Sequence, residues 1–383
     1  MNSTTSSSVS RAASTSPDAR TAIAEIAERL GPATAKIVCF FAAPTYDREA
    51  LTAAIAEHFA GSTVIGCTTA GEFGPAGYQE GSLSAFALSE ADFDVEVVRI
   101  DNLAHMEIDS GSVAMTSAMM RMRDRGRTVD ADHCFSFLLV DGLSMREEAL
   151  VSSLHLPLGD ICQFGGSAGD DLHFERTQVF HGGRFHDDAA VVLLVHTELP
   201  FEVFRTQHFV ETDKRMVITE ADPLTRTVTE INAEPAAREY ARQVGLEISE
   251  LTPQVFATHP VLVKVGAETF IRSIARVNDD ESLTFFCAIE AGNVLTVAKG
   301  VDLVKSLELM LDEVRGRVGA PQLTIGCDCI LRSLEAKRCA IRDRVAEVLD
   351  QSQAVGFTTY GEQVGSMHVN QTFTGVMIGS GIA

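Results

Sequence analysis

Basic residues are scarce in this chain: 31 Lys and Arg stand against 53 Asp and Glu, a net charge of −22 over 383 residues. That balance repels duplex nucleic acid and anionic membrane surfaces, so neither is expected as a partner. No run of about 18 apolar residues occurs, and the Ser/Thr-rich start lacks the charged and apolar segments of a leader. Neither a membrane span nor a secretory signal is expected, and the chain reads as cytoplasmic. C-x-x-C is missing, and with it C-x-x-C-H, which excludes covalent c-type haem attachment. Neither a G-x-x-x-x-G-K phosphate loop nor a kinase signature set is found, so any signal must leave in trans.

What is present suits a large core. Hydrophobic residues make up 45%, and the length fits two or three domains. Residues 1–18, MNSTTSSSVSRAASTSPD, have low complexity and read as a disordered tail. From Asp18 onward helical spacing (Ala22, Ile23, Ile26, Leu30) alternates with strand-like runs such as Lys36–Ala42, Thr63–Gly66, Leu83–Leu88 and Phe135–Val140. The class is α/β (α+β), strand-rich layered sheets flanked by helices. One long helix is predicted over Leu334–Leu349. Met115, Met119 and Met122 lie at core spacing on a helix. The neighbouring Arg121, Arg123, Arg125 and Arg127 read as a solvated helix end or a docking patch for an acidic partner. Among eight cysteines, Cys39, Cys134 and Cys287 sit in apolar runs as buried thiols. Cys327 and Cys329 form C-x-C with Cys339 further on. They could serve zinc or redox chemistry, or the first two could simply share one face of a strand.

The chain also repeats itself. Val64-Ile65-Gly66-Cys67-Thr68-Thr69-Ala70-Gly71-Glu72 is echoed by Ala354-Val355-Gly356-Phe357-Thr358-Thr359-Tyr360-Gly361-Glu362. Each is a strand ending in G-x-T-T-x-G-E, and after a loop each leads to another strand. A third relative, Phe164-Gly165-Gly166-Ser167-Ala168-Gly169-Asp170, leads to Ala190–Val195. Glycines there allow turns and close approach to the backbone.

With Leu139-Val140-Asp141-Gly142 and the closing Met367-His368-Val369-Asn370-Gln371-Thr372, these motifs resemble the FIST proteins, bacterial signal-transduction sensors of small ligands. The resemblance implies a FIST N domain over 30–220 and a FIST C domain over 225–380. The His368 segment is similar to the NosP-type haem proteins, which sense nitric oxide. That subgroup implies non-covalent haem b, a diatomic gas ligand and a partner in trans such as a histidine kinase; homo-oligomerisation is left open. Haem needs a neutral imidazole, an apolar slot and a group fixing the tautomer. His368 is the first candidate iron ligand, His181 and His186 the alternates, and His208 and His259 come third. Met367, Thr358, Glu362, Thr68, Glu72 and Asp170 are the pocket candidates. Without haem, the polar turns, with Thr69 and Thr359, would instead line a site for an amino acid or similar metabolite. A scaffold would use surface alone. Gly165-Gly166-Ser167-Ala168-Gly169 matches the nucleophile elbow G-x-S-x-G, but no helical pattern follows Ser167, so a turn and a non-catalytic protein are expected.

Overall fold

The strand–turn–strand echo extends to whole units. In the computed structural model, which describes residues 8–31, 35–107, 109–265 and 268–382, one order of elements occurs three times. The first unit runs from strand Val9–Ser14 to Leu83–Ser89, the second from Phe93–Asp101 to Ala189–Thr197, and the third from Phe201–Thr206 to Phe373–Gly379. In each, two central strands are parallel: Ala35–Ala42 with Thr63–Thr68, Cys134–Val140 with Gln163–Ser167, and Pro321–Cys329 with Ala354–Thr359. Helices make the crossovers that parallel neighbours require.

Every unit then gives away a hairpin. Glu72–Gly74 and Gly77–Gln79 of the first unit extend the third unit's sheet. Val179–His181 and Arg184–His186 of the second extend the first sheet, and Glu362–Val364 and Met367–Val369 of the third extend the second. The three six-stranded sheets turn their inner faces to one core, where Phe41 stacks on Phe357 at 4.7 Å and Phe137 on Phe164 at 4.9 Å. Helices cover the outer faces; Met115, Met119 and Met122 are buried there against Leu138 and Val192.

Residues 209–300 form an insertion in the third unit, an eight-stranded sheet around Tyr240 and Phe256. Strand Phe209–Asp222 changes register along its length, pairing first with Val294–Gly300 and then with Thr227–Ile231. Among the described residues no helix is long and apolar enough to cross a membrane.

Two expectations are corrected. Residues 1–7 of the expected tail lie outside the described residues, but Val9–Ser14 is a full edge strand on Leu83–Ser89. Its small side chains pass closely over the core, with Ala12 buried, and Arg11 donates to the Ala354 carbonyl at 2.8 Å. The helix over Leu334–Leu349 is two, Ile330–Arg338 and Arg342–Gln351, broken where Ala340 takes φ of 55°. Arg121, Arg123, Arg125 and Arg127 are all exposed around the helix end; Arg121 pairs with Glu96, Arg125 with Asp94 and Glu96, and Arg127 with Asp94.

Candidate functional site

Strand register identifies which residues of the three turns are equivalent. Phe73 lies opposite Gly356, Phe180 opposite Gly66 and Gln363 opposite Gly165, so Glu72, Val179 and Glu362 share one position. Asp170 is therefore not the third glutamate; it belongs to an added loop, and the second unit places valine there.

The two glutamates serve their own turns. Glu72 accepts from the Ser82 N–H at 3.1 Å, the Ser82 hydroxyl at 2.6 Å and the Thr69 hydroxyl. Glu362 accepts from the Thr372 N–H at 3.1 Å, the Thr372 hydroxyl at 2.8 Å and the Thr359 hydroxyl. Asp170 receives the N–H groups of Phe174, Glu175 and Arg176, and the Tyr360 hydroxyl. Thr68 Oγ1 accepts from the Gln178 N–H at 3.0 Å, whereas Thr358 Oγ1 is buried without a partner. Met367 is half-buried opposite Val364. Asp170 with Tyr360 and Thr68 with Gln178 thus link neighbouring units, while each glutamate braces the turn of its own unit.

Burial dominates the electrostatics of these turns. It pushes the Glu72 carboxyl up to about 8 and that of Glu362 to about 7, although the donors around each favour the charged form. The folded protein therefore keeps protons that the unfolded chain releases near the ordinary glutamate value. The linked stability is present at low pH and is lost as pH rises from about 4.5 to about 8. Urea midpoints should fall across this window, and Glu72→Gln should flatten the fall; an unchanged slope in that variant would remove Glu72 as a cause.

His368 occupies the place that Tyr78 and Phe185 fill in the other hairpins. Its side chain is 1% exposed. It sits where three segments meet: the first turn of helix Glu147–Leu158, the third unit's hairpin and the insertion. Nδ1 lies 3.1 Å from Glu148 Oε1, whose carboxylate also accepts from the Ala288 N–H and from Arg226, both at 2.6 Å. Arg226 Nη2 donates equally to Glu147, at 2.6 Å, and Nη1 to the Phe286 carbonyl at 2.5 Å. Cys287 Sγ lies 2.7 Å from Asn370 Oδ1. Burial opposes charge on His368, but Cys287, Glu148 and Glu147 outweigh it and hold the imidazole well above its ordinary value.

These surroundings do not fit haem on His368. The neighbours are charged, Nδ1 is engaged, and Nε2, which lacks a partner, is packed so closely that a Cβ on Gly361 would overlap it. The alternates differ. His186 Nε2 is taken by the His181 carbonyl at 2.9 Å and Arg99 at 3.1 Å. His181 Nδ1 is buried and unpartnered, beside a cavity of about 320 Å³ lined by Ile55, Phe59, Val64 and Phe180. Burial, Arg99 and His186 lower its pKa, which keeps the ring neutral. His208 is held between Glu335 and Arg332, and His259 by Thr258.

The remaining candidates separate. Cys327 and Cys329 are buried, with thiols pushed up by burial, while Cys339 is exposed at the end of helix Ile330–Arg338. Cys327 packs in the inner core and Cys329 beside Ile330 and Tyr360, and among the described residues these two and Cys339 do not come together as a group of metal ligands. Among the described residues, the group able to hold a metal is Glu148, Cys287 and His368. Ser167 is buried between Glu147, at 3.2 Å, and Gln363, at 3.0 Å, and no helix follows it. Glu147, Glu148 and Arg226 were not singled out from the sequence. The acidic pair opening a helix was visible, but nothing local linked it to an arginine in a distant turn.

Comparison with known proteins places the chain. A FIST N domain matches residues 36–234 and a FIST C domain residues 236–365. No curated protein matches. Among solved structures, cyanuric acid hydrolase from A. caulinodans aligns over 97% of this chain and 99% of its own at 8% identity, with a TM-score of 0.40. PurLQS from Thermotoga maritima aligns over 97% and 72% at 9% identity, with a TM-score of 0.19. Likenesses so weak carry no argument about fold or activity. The two domain matches follow one another over nearly the whole chain: it belongs to the FIST family, whose domains point to sensory signalling through small ligands.

Proposed function

We propose that this chain is a non-catalytic sensor that takes a small zwitterionic metabolite, such as an amino acid, between the second unit and the insertion. Its output passes in trans to a signalling protein such as a histidine kinase. The observation that carries the reading is a cavity of about 390 Å³ walled by Ser144, Arg146 and Glu148 on one side and by Leu224, Arg226 and Ala288 on the other. Its volume suits a small ligand. Exposed Arg146 offers guanidinium donors for a carboxylate, and the one-third exposed Glu148 side chain offers an acceptor for an ammonium group. Because separate parts of the fold supply the two walls, occupancy biases how they meet, which is the change a partner can read.

Thermal unfolding against a panel of amino acids tests this. A ligand at about a hundredfold its Kd adds about 2.7 kcal/mol, and Arg146→Ala should abolish the shift, with at most a small change in the unliganded Tm from the exposed bond that Arg146 Nη2 donates to the Ala104 carbonyl at 2.7 Å. No shift with any member of the panel would sink the reading.

A second reading, haem-dependent sensing of nitric oxide, is favoured by His181 alone. There Ile55, Phe59, Val64 and Phe180 would flank haem b, and His181 would supply the neutral imidazole. The iron would provide the site for the diatomic gas. Reconstitution with haem separates the candidates. Loss of a stoichiometric Soret band in His181→Ala, with retention in His368→Ala, supports this site, and the opposite pattern rejects it.

A further inference from the structure

We propose that Glu148, Cys287 and His368 form a binding site for one divalent transition cation of zinc type, joining the second unit, the insertion and the third unit's hairpin. The proposal does not require the metabolite reading, although both use the Glu148 carboxylate, so zinc retention and the thermal shift with amino acids are read separately. One donor atom from each residue lies within 4.8 Å of the other two. In a tetrahedral zinc site with bonds of 2.0–2.3 Å, donors lie about 3.3–3.8 Å apart, so side-chain shifts of about 1 Å would close the set. A thiolate, an imidazole and a carboxylate are ligand types that zinc accepts together, and three protein ligands leave a fourth position for solvent or a small ligand.

The setting has the parts such a site needs. Cys287 and His368 are buried, which excludes competing solvent, while Glu148 also borders the cavity of about 390 Å³ and gives the ion a route inward. Nδ1 is the imidazole nitrogen that faces Glu148, at 3.1 Å. The Glu148 carboxylate is oriented by Arg226 on Oε2 and by the Ala288 N–H on Oε1, both at 2.6 Å. The guanidinium is itself countered by Glu147 at 2.6 Å, so it does not present an unopposed charge to the ion. In the metal-free protein the Cys287 thiol donates to Asn370 Oδ1 at 2.7 Å, a bond that is given up when the thiol loses its proton to the ion. The ion displaces the Cys287 thiol proton and the Nδ1 proton to solvent, and the bonds formed are Sγ–metal, Nδ1–metal and Oε1–metal with no change of oxidation state.

The test uses the full chain, stripped with a chelator and then loaded with Zn²⁺ or Co²⁺ alone. Mass spectrometry should find one zinc per chain after desalting. X-ray absorption of the zinc form should show one sulfur with nitrogen and oxygen ligands, a readout that needs no variant. The thiolate-to-cobalt charge-transfer band should vanish in Cys287→Ser and persist in Cys339→Ser. Zinc affinity should fall at least about tenfold in Glu148→Gln. No retained zinc, two or more sulfurs per zinc, or a cobalt band that survives Cys287→Ser would each overturn the site.

Discussion

Arg226→Leu is expected to lower the unfolding free energy by about 3–5 kcal/mol. One guanidinium nitrogen serves both Glu147, whose side chain is 2% exposed, and Glu148, while the other reaches the Phe286 carbonyl. Removing the cation leaves two carboxylates facing each other with little water to replace it. Equilibrium urea unfolding measures the loss. Arg226→Lys should recover only part of it, because one ammonium lacks the fork that spans these acceptors. Adding Glu147→Gln to Arg226→Leu should restore stability by removing one unpaired charge. If the double variant is no better than the single, the cost lies in packing and the electrostatic account fails. Since Glu147 and Glu148 belong to the second unit and Arg226 to the insertion, the same variant should also loosen the cavity between them.

Gly356→Ala should be at least as damaging, by about 3 kcal/mol or more, with loss of soluble protein as the visible outcome. Gly356 pairs in register with Gly326, and a Cβ on it would overlap the Gly326 carbonyl oxygen and lie 2.5 Å from Phe73 Cζ. Both obstacles are fixed, one by a parallel ladder and the other by the exchanged hairpin. Gly316→Ala, on an exposed helical face with nothing near the added carbon, should instead stabilise by up to about 1 kcal/mol. Matching melting temperatures for the two variants would contradict the steric argument.

This contrast shows what was legible in the sequence. The repeated G-x-T-T-x-G-E could be seen without coordinates, and the glycines stand where close approach requires them. The partner of each approach could not be seen, because Phe73 meets Gly356 only through exchange between units far apart in the chain. The same limit applied to the acids. Glu72 and Glu362 looked like pocket residues, yet a local hydroxyl and a turn N–H satisfy each of them, while Asp170 matched in order but not in register. Strand periodicity located most elements. It missed Val9–Ser14, where a run of Ser and Ala carries little hydrophobic signal and neighbouring strands decide the outcome. His368 was found by its motif, but its chemistry is set by Glu148, Arg226 and Cys287, which no spacing rule connects.

The passing of hairpins around the ring has a consequence for the order in which the protein can be made. The first unit's sheet is completed by residues 179–186, the second's by residues 362–369, and the third's by residues 72–79 from near the start. A chain emerging from the ribosome can therefore finish none of its sheets from the segment that began it. Residues 72–79 must wait, with open strand edges, until residues 354–359 have been synthesised. Closure thus waits for residues 354–379, and a chain lacking them would expose edges in two sheets at once, the form that invites aggregation and proteolysis.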